Sequence, residues 1–272
     1  MTDDERGMEA VRRVTVELAN ILAPFWDHIA ITGGLAAYLL VPQHDAVHKH
    51  RGTTDVDLIL DHRNLAGATY LTIREILMRH LYQEDVQKAF RWHRGVLVDG
   101  KSVDVPVDFL AGEYGGTPRE RGHQDIEDIL PLKTHGAEIA FLHPIDRELA
   151  APHPEGGMDR VVLHVASVPA VILLKGHALG RMEDKDPYDI CYLIRTYPGG
   201  IRALAGAFRP YMELPAAREA LRAIRAKFDA RDAVGVVAAA REMGRVEGGE
   251  PEVHKTMAFE LANALLRELG LP

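Results

Sequence analysis

The sequence predicts an α+β protein, with an α/β core in its first part and a helical region after it. Three observations carry that expectation. Residues 55–60 and 103–109 alternate apolar and polar side chains as half-buried strands do. Val11, Val14, Leu18 and Leu22 recur at helical spacing near the amino terminus. From Pro169 onward the pattern is almost wholly helical, punctuated at Pro198-Gly199-Gly200 and Gly248-Gly249. With 272 residues, 47% of them hydrophobic and 26% charged, the chain can bury a sizeable core, which excludes disorder as its main state.

In chain order, residues 4–22 read as an amphipathic helix. Residues 28–32 form a short apolar strand ending at Gly33-Gly34, and a helix over 35–40 follows directly. A polar, His-rich loop spans 42–52. Along the strand at 55–60, Val56, Leu58 and Leu60 share one face, and Asp55 and Asp57 share the other. Residues 64–90 are expected to be mostly helical. The runs 95–98 and 103–109 flank Asp99-Gly100, a strong two-residue hairpin signal. In the second run Val103, Val105, Val107 and Phe109 face one way, and Asp104, Pro106 and Asp108 the other. Residues 112–133 read as a long surface loop with one short helix, and 137–142 and 161–165 as further strands. The division falls into an α/β core over 1–166 and a helical region over 167–272, expected as two lobes facing a cleft.

Composition narrows the function classes. The single cysteine, Cys191, excludes an intrachain disulfide framework and a cysteine-based zinc site, and fits a reducing compartment. It reads as a buried small hydrophobe. No run approaches 18 apolar residues and the acidic start lacks an apolar core, so the expectation is a soluble, cytoplasmic protein with no membrane partner. A net charge of −8 argues against a surface coated for duplex DNA, while 32 Lys and Arg leave room for a local basic cleft.

The chemistry concentrates in Gly33-Gly34, then Arg51-Gly52-Thr53-Thr54-Asp55-Val56-Asp57-Leu58, then Asp108. Three carboxylates converge if the strand of Asp55 and Asp57 lies beside that of Asp108. Such a cluster repels itself unless a cation sits in it, and Mg²⁺ (or Mn²⁺), held by a few carboxylates plus substrate phosphates, is the expected one. The paired glycines would let backbone N–H groups approach a triphosphate at a helix N-terminus. Taken singly, an Asp-x-Asp also suits a solvated strand edge, and a Gly-Gly a simple turn.

The order Gly-Gly, Arg-x-Thr-x-Asp-x-Asp-Leu and strand Asp resembles the DNA polymerase β-like nucleotidyltransferase superfamily. The arginine and threonine ahead of the carboxylates are similar to the AbiEii group, which includes the MenT-type toxins. A second block, Lys175 to Arg181 followed by Lys185-Asp186-Pro187-Tyr188-Asp189-Ile190, matches that group's Lys/Arg helix and its Lys/Arg-Asp-x-x-Asp motif. The resemblance covers roughly residues 29–193. It implies a mixed sheet flanked by helices, with the helical region completing the active-site cleft. It also implies transfer of a nucleoside monophosphate from an NTP to a tRNA 3′ end or a protein hydroxyl, and a cognate antitoxin. On it, Asp55, Asp57 and Asp108 are metal ligands and, with Lys175, catalytic. Gly33, Gly34, Arg51, Thr53, Lys175, Arg181, Asp186 and Asp189 bind nucleotide or order the site.

Alternatives stand beside several of these. Asp104 shares a face with Asp108 and competes as the third carboxylate. Asp186-Pro187-x-Asp189 also reads as a helix capping box. Lys175 on an apolar stripe also reads as a snorkelling lysine. Arg51 and Thr53 also read as structural, paired with the strand ends. His44, His48 and His50 suggest a metal site, but a flexible polar loop accounts for them. Arg218, Arg222, Arg225, Lys227 and Arg231 offer a local basic patch, with interleaved carboxylates giving a solvated face as the default. The competing functions are a small-molecule, antibiotic-type nucleotidyltransferase and a non-catalytic nucleotide-binding module.

Overall fold

Thr2 opens the first helix: its hydroxyl accepts from Glu5 N, and the Glu5 carboxylate takes the Thr2 N–H. Asp3, Asp4 and Glu5 add negative charge where the helix dipole favours it. In the computed structural model, which describes residues 1–43, 48–65, 71–113, 122–123, 125–180 and 185–271, this helix is α1 (Asp3–Ile21). It is followed by β1 (Ile29–Thr32), α2 (Gly33–Leu40), β2 (Val56–Leu60), α3 (His62–Leu65), α4 (Ile73–Arg79), β3 (Gln83–Glu84), β4 (Arg91–Val98), β5 (Lys101–Gly112), β6 (Leu132–Thr134), β7 (Ile145–Pro152) and β8 (Met158–Val165). Then come α5 (Val168–Ala178), α6 (Lys185–Thr196), α7 (Gly200–Ala207), α8 (Pro215–Lys227), α9 (Val234–Glu247) and α10 (Pro251–Glu268). Among the described residues no helix is long and apolar enough to cross a membrane.

Contacts divide the chain into two units: Met1–Ala36 with Gly52–Ala166, and Ala37–Arg51 with Ser167–Pro272. The boundary between core and helical region is therefore not a single cut. Residues 37–51 belong with the helices, and α2 crosses the division.

The first unit is a mixed sheet flanked by helices, in the order β3-β4-β5-β2-β1-β8-β7, with β6 on β5 beyond the end of β4. β2 runs parallel to β5 and β1 parallel to β8, while the pairs β1–β2, β3–β4, β4–β5 and β7–β8 are antiparallel. The β4–β5 hairpin turns at Asp99 (φ 52°) and Gly100 (φ 73°), both in the left-handed region that such a turn requires. Alternation then splits β4: Trp92, Arg94, Val96 and Val98 face one side, Arg91 and His93 the other. α1 lies across β4, β5, β7 and β8 and buries Val11, Val14 and Leu18.

Two expectations are corrected, and one strand went unread. Residues 64–90 are not one helical stretch; α4 ends at Arg79, because Leu81 takes a positive φ of 64° and Gln83–Glu84 pair with β4. Asp85 then accepts from the N–H groups of Gln87 and Lys88, a turn that replaces helix. Residues 137–142 are a 3₁₀ turn, Ala137–Phe141, entered through left-handed Gly136 (φ 73°), not a strand. β7 was not anticipated, because this edge strand buries little beyond Leu149 and Ala151. Of the stretch 112–133, residues 114–121 and 124 lie outside the described residues; the described part carries two isolated β-bridges and no helix.

A charged knot sits beneath α1. Glu17 is fully buried and receives Arg94 Nε (2.9 Å), Arg94 Nη2 (2.8 Å) and Tyr82 Oη (2.8 Å). Burial, and then the charge of Glu17, push the Tyr82 phenol well up, so it stays a donor. On the opposite face of β4, His93 reaches Asp104 Oδ2 through Nδ1 (2.6 Å) and Asp85 Oδ2 through Nε2 (2.9 Å).

The second unit packs by close backbone approach. A Cβ on Gly176 of α5 would press on the Ala220 carbonyl of α8, and one on Gly235 of α9 on the Lys227 carbonyl. Cys191 is buried against α10, its thiol pushed up by burial alone.

Two outcomes follow. Glu17→Leu strands the Arg94 guanidinium and should cost about 3–5 kcal/mol of unfolding free energy in urea, while Glu17→Leu with Arg94→Met should recover much of it. A single variant as stable as wild type would show that the knot contributes nothing. For His93, partial burial lowers its pKa, but Asp85 and Asp104 outweigh that and raise it. Its contribution is therefore complete below the unfolded histidine value of about 6.5 and lost as pH rises through the raised folded value. The melting-temperature gap between wild type and His93→Gln should narrow from pH 6 to pH 9; a constant gap would contradict the assignment.

Candidate functional site

Parallel pairing of β2 with β5 decides which carboxylates meet. The register sets Asp57 opposite Asp108. Asp104 instead pairs with Gly95 and gives its carboxylate to His93, so Asp108 is the aspartate beside Asp57. Asp55, two residues before Asp57 on the same side, is buried, and its Oδ1 accepts from Thr53 Oγ1 at 2.6 Å. Thr53 thus acts on the orientation of Asp55.

Gly33 is tied to Asp57. β1 pairs Thr32 with Asp57, and Gly33, next in the chain, has φ 66°. A Cβ at Gly33 would fall inside the van der Waals shell of Asp57 Oδ2. The glycine therefore makes room for the Asp57 carboxylate at the start of α2, where the helix dipole favours an anion. Gly34 is buried in the first turn of that helix.

The sequence reading missed Arg91. It pairs with Asp108 across β4–β5 and grips it with both arms, Nε to Oδ1 at 2.6 Å and Nη2 to Oδ2 at 2.7 Å. This pairing, reinforced against burial by the charges of Asp108, Asp55 and Asp57, raises the Arg91 pKa. All three carboxylates thus act on one guanidinium. The available signal was the alternation of Arg91-Trp92-His93-Arg94, which places Arg91 on the face opposite Trp92.

Among the described residues no three acidic or histidine side chains are arranged to hold a metal. Asp108 has both oxygens on Arg91. Asp55 and Asp57 carry hard carboxylate oxygens, the donor type that Mg²⁺ takes together with substrate phosphates, while Asp108 is engaged by Arg91.

The second motif block forms a cluster within the second unit. Lys175 is buried, not snorkelling: Nζ donates to Asp186 Oδ1 at 2.9 Å and forms an ion pair, off the hydrogen-bond direction, with Asp189 Oδ2 at 2.6 Å. Burial alone would lower the lysine's pKa, but the two aspartates overcome it and raise it. Burial would likewise raise Asp189, yet Lys175 and then His50 hold it well below the ordinary carboxylate range. Asp186 lies within the first turn of α6 and turns its carboxylate to Lys175, which corrects its reading as an N-cap.

His50 is the second residue that sequence reasoning misplaced. Read as part of a flexible loop, it is buried among Tyr38, Tyr188 and Tyr192, and its Nε2 donates to Asp189 Oδ1 at 2.9 Å. Gln43 accepts from His50 N and donates to Tyr192 Oη. His48 turns instead to Glu247, 3.4 Å away, so His48 and His50 do not converge on a metal. Arg51 pairs with Glu242 of α9 at 2.5 Å, and its N–H donates to Tyr188 Oη. His44 and Arg181 lie outside the described residues. Arg218, Arg222, Arg225 and Arg231 are exposed.

Comparison with protein-family models, with curated proteins and with solved structures finds no match to this chain.

Gly33→Ala tests the link between turn and carboxylate. The left-handed backbone alone makes it cost about 1–2 kcal/mol, and the displaced Asp57 adds to that. Thermal melting should show the loss; a variant melting with wild type would contradict the close approach.

Proposed function

We propose that this chain is a divalent-cation-dependent nucleotidyltransferase of the polymerase β-like type, moving a nucleoside monophosphate from an NTP to an acceptor hydroxyl. One observation carries the reading: Asp57 and Asp108 lie in register on parallel strands, with Asp55 beside them and Gly33 shaped around Asp57. Such a carboxylate cluster is costly without a purpose, and in-line phosphoryl displacement supplies one. An Mg²⁺ or Mn²⁺ ion held by Asp55 and Asp57 would supply positive charge to the phosphate oxygens of the reacting NTP. The chain's own residues do the rest. Thr53 fixes Asp55, the Gly33 turn fixes Asp57, and Asp108, once released from Arg91, is the base for the acceptor hydroxyl. Lys175, Asp186 and Asp189 remain, on the resemblance, the nucleotide-ordering block; Gly34, Arg51 and Arg181 keep the same proposed role.

The resemblance points to a tRNA 3′ end or a protein hydroxyl as acceptor, and to an AbiEii-type toxin with a cognate antitoxin. The second unit supports an RNA acceptor: it carries 17 Lys and Arg against 15 Asp and Glu, and its α8 arginines are exposed. A small-molecule cation as acceptor is favoured by the opposite balance in the first unit, 25 Asp and Glu against 15 Lys and Arg.

The test is incubation with Mg²⁺, each α-labelled NTP, and total tRNA, cell protein or an aminoglycoside. Label should pass to one acceptor class, and Asp57→Ala should reduce it roughly 100-fold or more. No transfer to any acceptor by a folded protein would sink the transferase reading.

A further inference from the structure

A guanidinium inside a carboxylate cluster is itself a cation, and here it engages both oxygens of Asp108, the carboxylate expected as the third metal ligand. Arg91 and Asp108 face each other across an antiparallel ladder, both donors of the fork are engaged, and the pair is largely buried. Such bidentate pairs are strong and directional. The backbone of Arg91 is pinned, with its N–H donating to Lys88 O at 2.8 Å and its carbonyl accepting from Asp85 N at 2.9 Å. Only the side chain is left to move. Its charge interacts with Asp55 and Asp57 as well as with Asp108, so it offsets the repulsion of the whole cluster.

We infer that Arg91 is a resident counter-charge that keeps Asp108 from a divalent cation until an anionic substrate draws the guanidinium away. This rests on the reading of Asp55, Asp57 and Asp108 as a cation-handling site. Two consequences are built into the geometry. A dication entering beside Asp55 and Asp57 meets a like charge and finds Asp108 occupied, so the free protein binds it weakly. A triphosphate offers the fork an alternative partner, because two oxygens of one phosphate group can accept both of its N–H donors as a carboxylate does. Departure of Arg91 then frees Asp108 and removes the like charge together, which couples nucleotide and cation binding.

Mn²⁺ alone, titrated into the full chain and followed by electron paramagnetic resonance, tests this without turnover. Arg91→Gln should bind Mn²⁺ about fivefold or more tightly than wild type, the lower end of ordinary site coupling. Adding Asp108→Asn to Arg91→Gln should abolish the gain. Arg91→Lys keeps the charge but cannot grip both oxygens, so it should show a smaller gain, and it carries the test should Arg91→Gln fail to fold. A folded Arg91→Gln that binds Mn²⁺ no better than wild type, or a gain that survives Asp108→Asn, overturns the inference. Asp57→Asn separates the two levels. If it leaves Mn²⁺ binding unchanged, the cation site falls and takes this inference with it. If it abolishes binding while Arg91→Gln gains nothing, only the role of Arg91 falls.

Discussion

Like charges directly opposite on neighbouring strands are destabilising, and the parallel pairing of β2 with β5 sets Asp57 opposite Asp108. The rest of the first unit's site answers that constraint. Arg91 comes from the next strand and takes both oxygens of Asp108. Thr53 donates to Asp55. The start of α2, opened by a residue without a side chain, receives Asp57. Each carboxylate thus has its own accommodation, and a sheet that would otherwise repel itself closes.

The second unit handles buried charge in the same way. Lys175 on a nearly all-buried helix is tolerable because two aspartates from α6 surround its ammonium, and Asp189 is tolerable because His50 donates to its other oxygen. Removing one member leaves an uncompensated buried charge, which is far more costly than the pair was favourable. This explains why Gln43 and His50 are tied to each other and to α6. The connection carries a group that the buried cluster requires, and that same polar bonding joins residues 37–51 to the helices.

Elements whose signal is local were legible in the sequence. Alternation marked β2 and β5, Asp99-Gly100 marked the hairpin between β4 and β5, and 3.6-residue periodicity marked α1. What failed was decided by tertiary partners. The segment after α4 has helical composition, yet it is recruited as strand and turn by β4. β7 has too little buried surface to announce itself, and it exists because β8 offers it a ladder. The carboxylates were legible because residue type and spacing name them. Arg91 and His50 were not, because an arginine among aromatic and histidine neighbours, or a histidine in a polar loop, carries no pattern saying which aspartate it will meet. The choice of Asp108 over Asp104 likewise needed the register, which lies four residues apart for two positions of equal parity.

The net charge of −8 conceals a division that bears on the proposed chemistry. The first unit holds 25 Asp and Glu against 15 Lys and Arg, while the second is slightly basic. A triphosphate approaching a surface of that sign is repelled at long range, and the three aspartates add to the repulsion at short range. Arg91, the cation on Asp108, is already paired. A nucleotide therefore has to bring its own compensation, as nucleotides do when they travel as complexes of a divalent ion. If Arg91 exchanges Asp108 for a phosphate as inferred, an acidic unit of this kind would select against the free anion and for the metal complex. On the proposed reading, the acidity of the first unit is not an obstacle to binding nucleotide; it would make such binding depend on the metal.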